Sequence, residues 1–185
     1  MSAALGQLIY GTCVALLHRP RRRRWPDLGK IDAKPTASAK ARGQGERVGA
    51  VGAPVAAILQ GPSGSGKSDL ALRFVLENAA HLDAALVSDD QVLVARTAER
   101  LIARPPASIA GKIEVRGIGI VSLPYLGEAE LCLAISLSHP DDIPRLPSIG
   151  EETLEIQGIA LPVLRLAPFE ASAALKLRLA LETRR

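Results

Sequence analysis

Residues 54–80 read PVAAILQGPSGSGKSDLALRFVLENAA, and this stretch decides the fold. It opens with an apolar run from Pro54 to Gln60, which is typical of a short buried strand. A loop of glycines and serines follows. The segment from Lys67 to Ala80 contains neither Pro nor Gly and repeats its apolar residues at helical spacing. A strand, a glycine-rich loop and a helix in this order predict an α/β protein that binds phosphate groups.

The loop fits the pattern G-x-x-x-x-G-K-[ST] known as the P-loop. It consists of Gly61, Pro62, Ser63, Gly64, Ser65, Gly66, Lys67 and Ser68. The glycines let successive backbone N–H groups converge, and the helix adds the positive end of its dipole. Lys67 supplies a mobile charge for the β- and γ-phosphates, and the Ser68 hydroxyl can complete a Mg²⁺ shell. We therefore expect ATP and Mg²⁺ to bind here; the alternative is a turn that matches by chance.

Two acidic residues follow the next predicted strand. Ala84–Ser88 is again a short apolar run, and Asp89 and Asp90 come directly after it. Strand ends in a parallel sheet face one crevice, so this pair is expected to point at the phosphates. One carboxylate can bind Mg²⁺ and the other can accept a proton from an attacking hydroxyl. The alternative is a turn with two solvated aspartates.

Two further candidates lie later in the chain. Lys112–Val115 and Ile118–Leu123 predict strands on either side of Arg116-Gly117, with Glu114 and Arg116 on one face; an ordinary edge strand would look the same. Arg145 lies between two prolines and can stabilise the charge of a transferred phosphoryl group. The remaining predicted elements are strands at Gln91–Ala95, Leu131–Leu137 and Leu161–Leu166 and an amphipathic helix at Glu170–Thr183.

Charge is distributed unevenly along the chain. Residues 1–50 carry ten Lys/Arg against three Asp/Glu, whereas residues 51–185 carry thirteen against sixteen. The main domain is therefore mildly acidic, and aromatic residues make up only 3% of the chain. A nucleic-acid partner is not expected. Cys13 and Cys132 are expected to be buried or free thiols in a reducing cytoplasm, and His18, His81 and His139 to be surface residues.

Residues 1–50 are predicted to be a basic, disordered leader, followed by one domain over residues 51–185. The apolar stretch from Ala3 to Leu17 is shorter than the about 20 residues that span a bilayer, and its arginines follow it instead of preceding it. We expect a cytoplasmic protein without stable membrane insertion, although a weak surface anchor stays open. A wrong start or a shifted reading frame could also produce such a leader, a hypothesis that mass spectrometry of the natural N-terminus tests.

From Val55 to Leu181 the chain resembles the C-terminal catalytic domain of bacterial HPr kinase/phosphorylase, in the short form known from alpha-proteobacteria. The resemblance rests on the loop with Asp69-Leu70-Ala71-Leu72, on Val87–Val92, and above all on Ile113-Glu114-Val115-Arg116-Gly117-Ile118-Gly119-Ile120; Arg145-Leu146 and Leu161–Val163 follow in the expected order. It implies a P-loop fold with a mixed β-sheet. It also implies an ATP-dependent serine protein kinase that acts on HPr, the carrier protein of the sugar phosphotransferase system, and reverses the reaction by phosphorolysis.

The resemblance also implies roles for single residues. Lys67 and Ser68 would contact phosphates and Mg²⁺, Asp90 would take the proton of the acceptor serine, and Glu114 would help to hold Mg²⁺. Asp89, from its position after the strand, is our expected second carboxylate for Mg²⁺. Arg145 would serve mainly dephosphorylation, and the chain would form a homo-oligomer, a hexamer in relatives. The family's catalytic His, expected about 15 to 20 residues before the loop, is not found in Ala37–Gly52. An ATP-binding regulatory module without turnover and a kinase with another acceptor therefore remain alternatives.

Overall fold

A mixed β-sheet forms the centre of the computed structural model, which describes residues 6–17, 54–78, 84–147 and 150–184. Within these ranges the sheet has nine strands, and a separate hairpin and two helices pack around it. The strands are β1 (Gln7–Tyr10), β2 (Thr12–Leu16), β3 (Val55–Gln60), β4 (Ala84–Ser88), β5 (Gln91–Thr97), β6 (Arg100–Arg104), β9 (Ala129–Leu137), β10 (Thr153–Ile156) and β11 (Ile159–Leu166). The hairpin is formed by β7 (Lys112–Val115) and β8 (Gly119–Ser122), and the helices are α1 (Lys67–Asn78) and α2 (Ala173–Glu182).

Strand order across the sheet is β1-β5-β6-β9-β3-β2-β4, and β11 pairs with both β10 and β9. Strands β3, β9 and β11 are parallel to one another. Strand β2 lies between β3 and β4 and is antiparallel to both. Strands β3 and β4 therefore run in the same direction, and their C-terminal ends lie at one edge of the sheet. The expected mixed α/β fold is confirmed.

Both faces of the sheet are covered. Alternation along β2 places Val14 and Leu16 in one core and Cys13 and Ala15 in the other. The first core packs against α1 and α2, and the second against side chains of β5, β6 and β10, so the sheet curls around it. The five residues of β2 are all buried, which is why its sequence is continuously apolar apart from Thr12 and lacks the alternation of a half-exposed strand.

The domain boundary near Val51 was wrong for residues 6–17. These residues belong to the predicted leader, yet β1 pairs with β5, and β2 fills the position between the P-loop strand β3 and β4. Gly11, between them, is needed because a side chain there would come within 2.7 Å of the Leu59 carbonyl oxygen. The predicted disorder of Lys30–Gly52 falls outside the described residues, as does the whole of residues 18–53.

Most other elements agree with the sequence-based prediction. The strand predicted at Leu131–Leu137 begins at Ala129, and the C-terminal helix begins at Ala173 instead of Glu170. Its predicted apolar stripe of Ala174, Leu177 and Leu181 is fully buried. Strands β6 and β10 had no counterpart in the prediction. Neither helix in the described part of the chain has the length and apolar character that crossing a bilayer requires.

Candidate active site

The glycine-rich loop connects β3 to α1, as its sequence predicted. The first helical hydrogen bond runs from the Leu70 N–H to the Gly66 carbonyl at 2.9 Å, so the N–H groups of the preceding residues are not used within the helix. Gly66 has φ +90°, and a side chain there would come within 3.0 Å of the Phe169 ring. The loop can adopt this shape because Gly66 tolerates both the left-handed backbone and the close contact.

The Lys67 ammonium group folds back over the loop. It donates to the carbonyl oxygens of Gly61 and Pro62 at 3.0 and 2.9 Å. The Ser65 hydroxyl oxygen is buried, and no described residue provides it with a hydrogen-bond partner. A buried polar atom of this kind costs stability unless a bound group or water satisfies it. A mobile cation and an unsatisfied hydroxyl in the same loop fit an anionic ligand such as a chain of phosphates.

Asp89 connects the loop to the end of β4. Its carboxylate is 5% exposed and accepts three hydrogen bonds. Thr12 Oγ1 and Ser68 Oγ donate to Oδ1 at 2.7 and 2.9 Å, and the Glu114 N–H donates to Oδ2 at 3.2 Å. The three donors come from β2, α1 and β7, so this one buried carboxylate fixes three elements relative to one another.

Asp90 is held differently. Its backbone has φ 62°, a left-handed conformation that non-glycine residues adopt at a cost. The Gly11 N–H donates to its carbonyl oxygen at 2.9 Å. Partial burial raises the pKa of the Asp90 carboxyl, the neighbouring Asp89 and Glu114 carboxylates raise it further, and Lys67 lowers it. Asp90 is therefore a more basic carboxylate than a free aspartate, as a proton acceptor should be.

Two cavities meet at Glu114. The loop cavity, of about 260 Å³, is lined by the loop and the start of α1 together with Glu114, Arg116 and Phe169. The Asp90 cavity, of about 310 Å³, is lined by Asp89, Asp90, Lys112, Glu114 and several isoleucines. One cavity thus suits a polyphosphate, and the other gives access to Asp90.

The residues predicted for Mg²⁺ fit this ion. Ser68 Oγ and Asp89 Oδ1 are 2.9 Å apart at the loop, and Glu114 lines the same cavity as Ser68. Within the described ranges no group of three or more His, Cys, Asp or Glu side chains forms a complete metal cage. Mg²⁺ does not need one, because it is usually bound by one or two carboxylates, water and the phosphates of its substrate.

Arg145 is not brought to this site by any described contact. It is exposed, and the pocket nearest to it in sequence is a separate one of about 90 Å³ lined by Ile143, Pro144 and Arg165. His139 is exposed beside Asp141, as predicted for a surface residue, while His18 and His81 lie outside the described residues. Tyr10, which precedes Gly11, is paired with Gln91 and is 73% exposed.

A glycine-rich loop between a strand and a helix, bonded through Ser68 to an aspartate at the end of a second strand that runs in the same direction, defines the P-loop class of phosphate-binding proteins. Within that class the chain can be assigned further. The family model of the HPr serine kinase C-terminal domain matches residues 48–167. The chain belongs to this family.

Individual relatives agree with the family assignment. The HPr kinase/phosphorylase of Streptococcus thermophilus is 32% identical over 120 residues, which cover 59% of this chain and 37% of that protein. The Mycoplasma genitalium protein of the same name is 37% identical over 90 residues, which cover 45% of this chain and 27% of that protein. The chain thus spans about a third of the length of these curated relatives.

A solved structure is also similar. The HPr(Ser) kinase/phosphatase from Coxiella burnetii superimposes with a TM-score of 0.65 at 20% sequence identity, covering 96% of this chain and 90% of that one. At this identity the match supports the fold alone.

Sequence reasoning missed three residues of this arrangement: Thr12, Lys112 and Phe169. Thr12 lies 77 positions from its partner Asp89, and only the pairing of β2 with β4 brings them together. Lys112 stands at the start of a predicted strand, but the sequence does not show that its side chain lines the Asp90 cavity. Phe169 carried a readable signal, because a large aromatic residue immediately before the helix predicted at Glu170–Thr183 is unusual in a chain so poor in aromatic residues.

Proposed function

We propose that this domain transfers the γ-phosphoryl group of Mg²⁺-ATP to a serine hydroxyl of HPr. Family membership supports the reaction type. The single observation that carries the proposal is the Ser68–Asp89 hydrogen bond, because it joins the phosphate loop to the strand end on which Asp90 lies. Since ATP is the donor, we also propose a cytoplasmic location.

Each residue has a defined part in this proposal. Bound Mg²⁺ would neutralise phosphate charge, and Ser68, Asp89 and Glu114 are the residues that would hold it. Lys67 exchanges its two carbonyl partners for phosphate oxygens. Asp90 accepts the proton of the serine hydroxyl as the new O–P bond forms, while the bond from the γ-phosphorus to the bridging oxygen breaks and ADP leaves.

The Asp90 cavity orients the acceptor. Lys112 donates to the Ser108 carbonyl at 3.0 Å and lines this cavity beside Ile109 and Ile120. A cavity with a carboxylate, an ammonium group and apolar walls suits a polypeptide segment that presents a hydroxyl group. Catalysis then rests on positioning and charge neutralisation, which is the general pattern of phosphoryl transfer.

We propose the reverse reaction at the same site. In phosphorolysis the bond from phosphorus to the serine oxygen breaks as inorganic phosphate attacks, and pyrophosphate forms. The leaving serine oxygen needs a proton, which Asp90 in its protonated form would supply by acting as a general acid. Arg145 remains our proposed residue for this direction. Its effect should appear in pyrophosphate release more than in kinase turnover.

One assay tests the proposal. Purified protein, Mg²⁺, radiolabelled ATP and HPr are incubated, and phosphoserine is identified by mass spectrometry. Label on a serine of HPr, lost in Asp90→Asn and retained in the control His139→Ala, supports the assignment. ATP binding without transfer to HPr favours a different acceptor or a regulatory module, and no ATP binding refutes the proposal.

A further inference from the structure

An exposed aromatic ring forms one wall of the loop cavity. Phe169 is 73% exposed, although burying such a side chain typically contributes about 1.5–3 kcal/mol. It lies against the phosphate loop, since a side chain at Gly66 would be 3.0 Å from both Cε1 and Cζ of the ring. Core packing therefore does not explain why a phenylalanine is placed here.

The backbone that carries the ring is fixed to α1. The Arg73 guanidinium donates to the carbonyl oxygens on both sides of Phe169, those of Pro168 and Glu170. Its Nε also donates to Asp69 at 3.0 Å. Because one planar cation ties the flanking peptides to the helix, the ring is presented from a rigid support and loses little conformational entropy when a ligand packs on it.

We propose that Phe169 is the stacking platform for the nucleobase of the bound nucleotide, an inference that rests on the proposed function. Phe169 lines the same cavity as the phosphate-binding residues Lys67 and Ser68, together with Asp69 and Leu72 of the first turns of α1. A nucleotide whose phosphates occupy the loop would therefore have its base within reach of the ring. The base then covers an aromatic surface that is otherwise in water.

Stacking has a recognisable consequence for specificity. An aromatic ring contacts the π-face that every base shares and does not distinguish exocyclic groups. Phe169 therefore contributes affinity for ligands that contain a base, and it contributes nothing to the recognition of phosphates alone.

The test compares Mg²⁺-ATP with inorganic tripolyphosphate, which has the phosphates but no base, by isothermal titration calorimetry. Phe169→Ala should weaken ATP binding about fivefold to 150-fold, as alanine substitution of stacked rings typically does, and leave tripolyphosphate binding unchanged. Phe169→Trp should retain ATP affinity, whereas Phe169→Leu, which is apolar but lacks a ring, should not. Leu175→Ala, an exposed apolar residue on α2, is the matched control.

Several outcomes would overturn the inference. ATP affinity within twofold of wild type in Phe169→Ala refutes stacking, and so does an equal loss for tripolyphosphate. If sedimentation shows that the substitution changes oligomeric state while ATP affinity stays the same, the ring covers a second copy of the chain instead. Failure of both ligands to bind the wild type refutes the phosphate site together with this inference. Phe169-dependent ATP binding without transfer to HPr would leave the stacking platform standing and refute only the kinase proposal.

Discussion

Thr12→Val tests whether the N-terminal strand supports the active site. Thr12 is fully buried, and its hydroxyl donates at 2.7 Å to Asp89, which is 5% exposed. Valine has a similar shape, so the substitution leaves the packing of β2 nearly intact and removes only the donor. The Asp89 carboxylate then keeps two of its three hydrogen bonds, those from Ser68 and from the Glu114 backbone.

The expected loss of stability follows from the kind of bond removed. A hydrogen bond to a charged group contributes about 1.5–3 kcal/mol, and an unpaired buried acceptor adds to the loss. We expect Thr12→Val to lower the free energy of unfolding by about 2 kcal/mol. Thr12→Ser keeps the hydroxyl and deletes one buried methyl group, which should cost about 1 kcal/mol.

Function separates the two variants more clearly than stability. Thr12 lines neither the loop cavity nor the Asp90 cavity but orients Asp89, which we propose as a Mg²⁺ ligand, and partners of metal ligands typically contribute about tenfold or more to metal affinity. In Mg²⁺ titrations of nucleotide binding, Thr12→Val should therefore show about a tenfold loss, whereas Thr12→Ser should match wild type. Urea unfolding gives the stabilities. The reasoning is refuted if Thr12→Val keeps wild-type Mg²⁺ affinity, or if Thr12→Ser loses it equally.

Three further predictions use simpler changes. Lys67→Ala should reduce nucleotide affinity at least about tenfold, or about 1.4 kcal/mol, because the only side-chain cation of the loop is removed; unchanged calorimetry would contradict this. Asp90→Asn should abolish transfer to HPr without destabilising the metal-free protein at pH 7. The pKa of Asp90 is raised in the folded protein, so the wild type loses stability as the pH rises from about 4 through that pKa, whereas Asp90→Asn does not. In urea unfolding, Asp90→Asn should therefore be more stable than the wild type at pH 7 and equally stable at pH 4. Replacing residues 18–53 with Asn-Gly should preserve the fold and nucleotide binding, because Leu16 and Val55 are paired in the adjacent antiparallel strands β2 and β3, which a short turn can join; loss of a cooperative thermal transition would refute it.

The parts of the fold that the sequence predicts are those with local signals. The strand, loop and helix around Lys67 follow from spacing alone, and the run Ala84–Ser88 shows its burial directly. Strand β2 carries an equally apolar run, Cys13–Leu16, but its partners β3 and β4 lie far along the chain. Pairing between distant strands depends on tertiary packing, which the sequence does not show. The run Ala84–Ser88 was therefore assigned to the core, whereas the similar run Cys13–Leu16 was assigned to the leader.

In the candidate active site, too, the sequence predicts the features that have local signals and misses those that depend on long-range contacts. Acidic residues after a strand indicate a carboxylate pair, and the edge on which they lie follows from strand direction. Their environments do not follow from sequence, since Asp89 and Asp90 are adjacent and chemically identical. Burial among donors from β2, α1 and β7 separates them, and all of those contacts are long-range.

This separation explains how two neighbouring aspartates can do different work. The lone pairs of Asp89 are engaged by three donors, so its position is fixed and its orientation towards Ser68 is preserved. The Asp90 carboxylate receives no hydrogen bond from any described side chain or backbone group, and the negative charges of Asp89 and Glu114 act on it. Asp90 also has a left-handed backbone, so strain and repulsion are concentrated in the residue that we propose as the proton acceptor. Protonation relieves the repulsion, and the charge that destabilises Asp90 in the resting protein would therefore favour proton transfer in the proposed reaction.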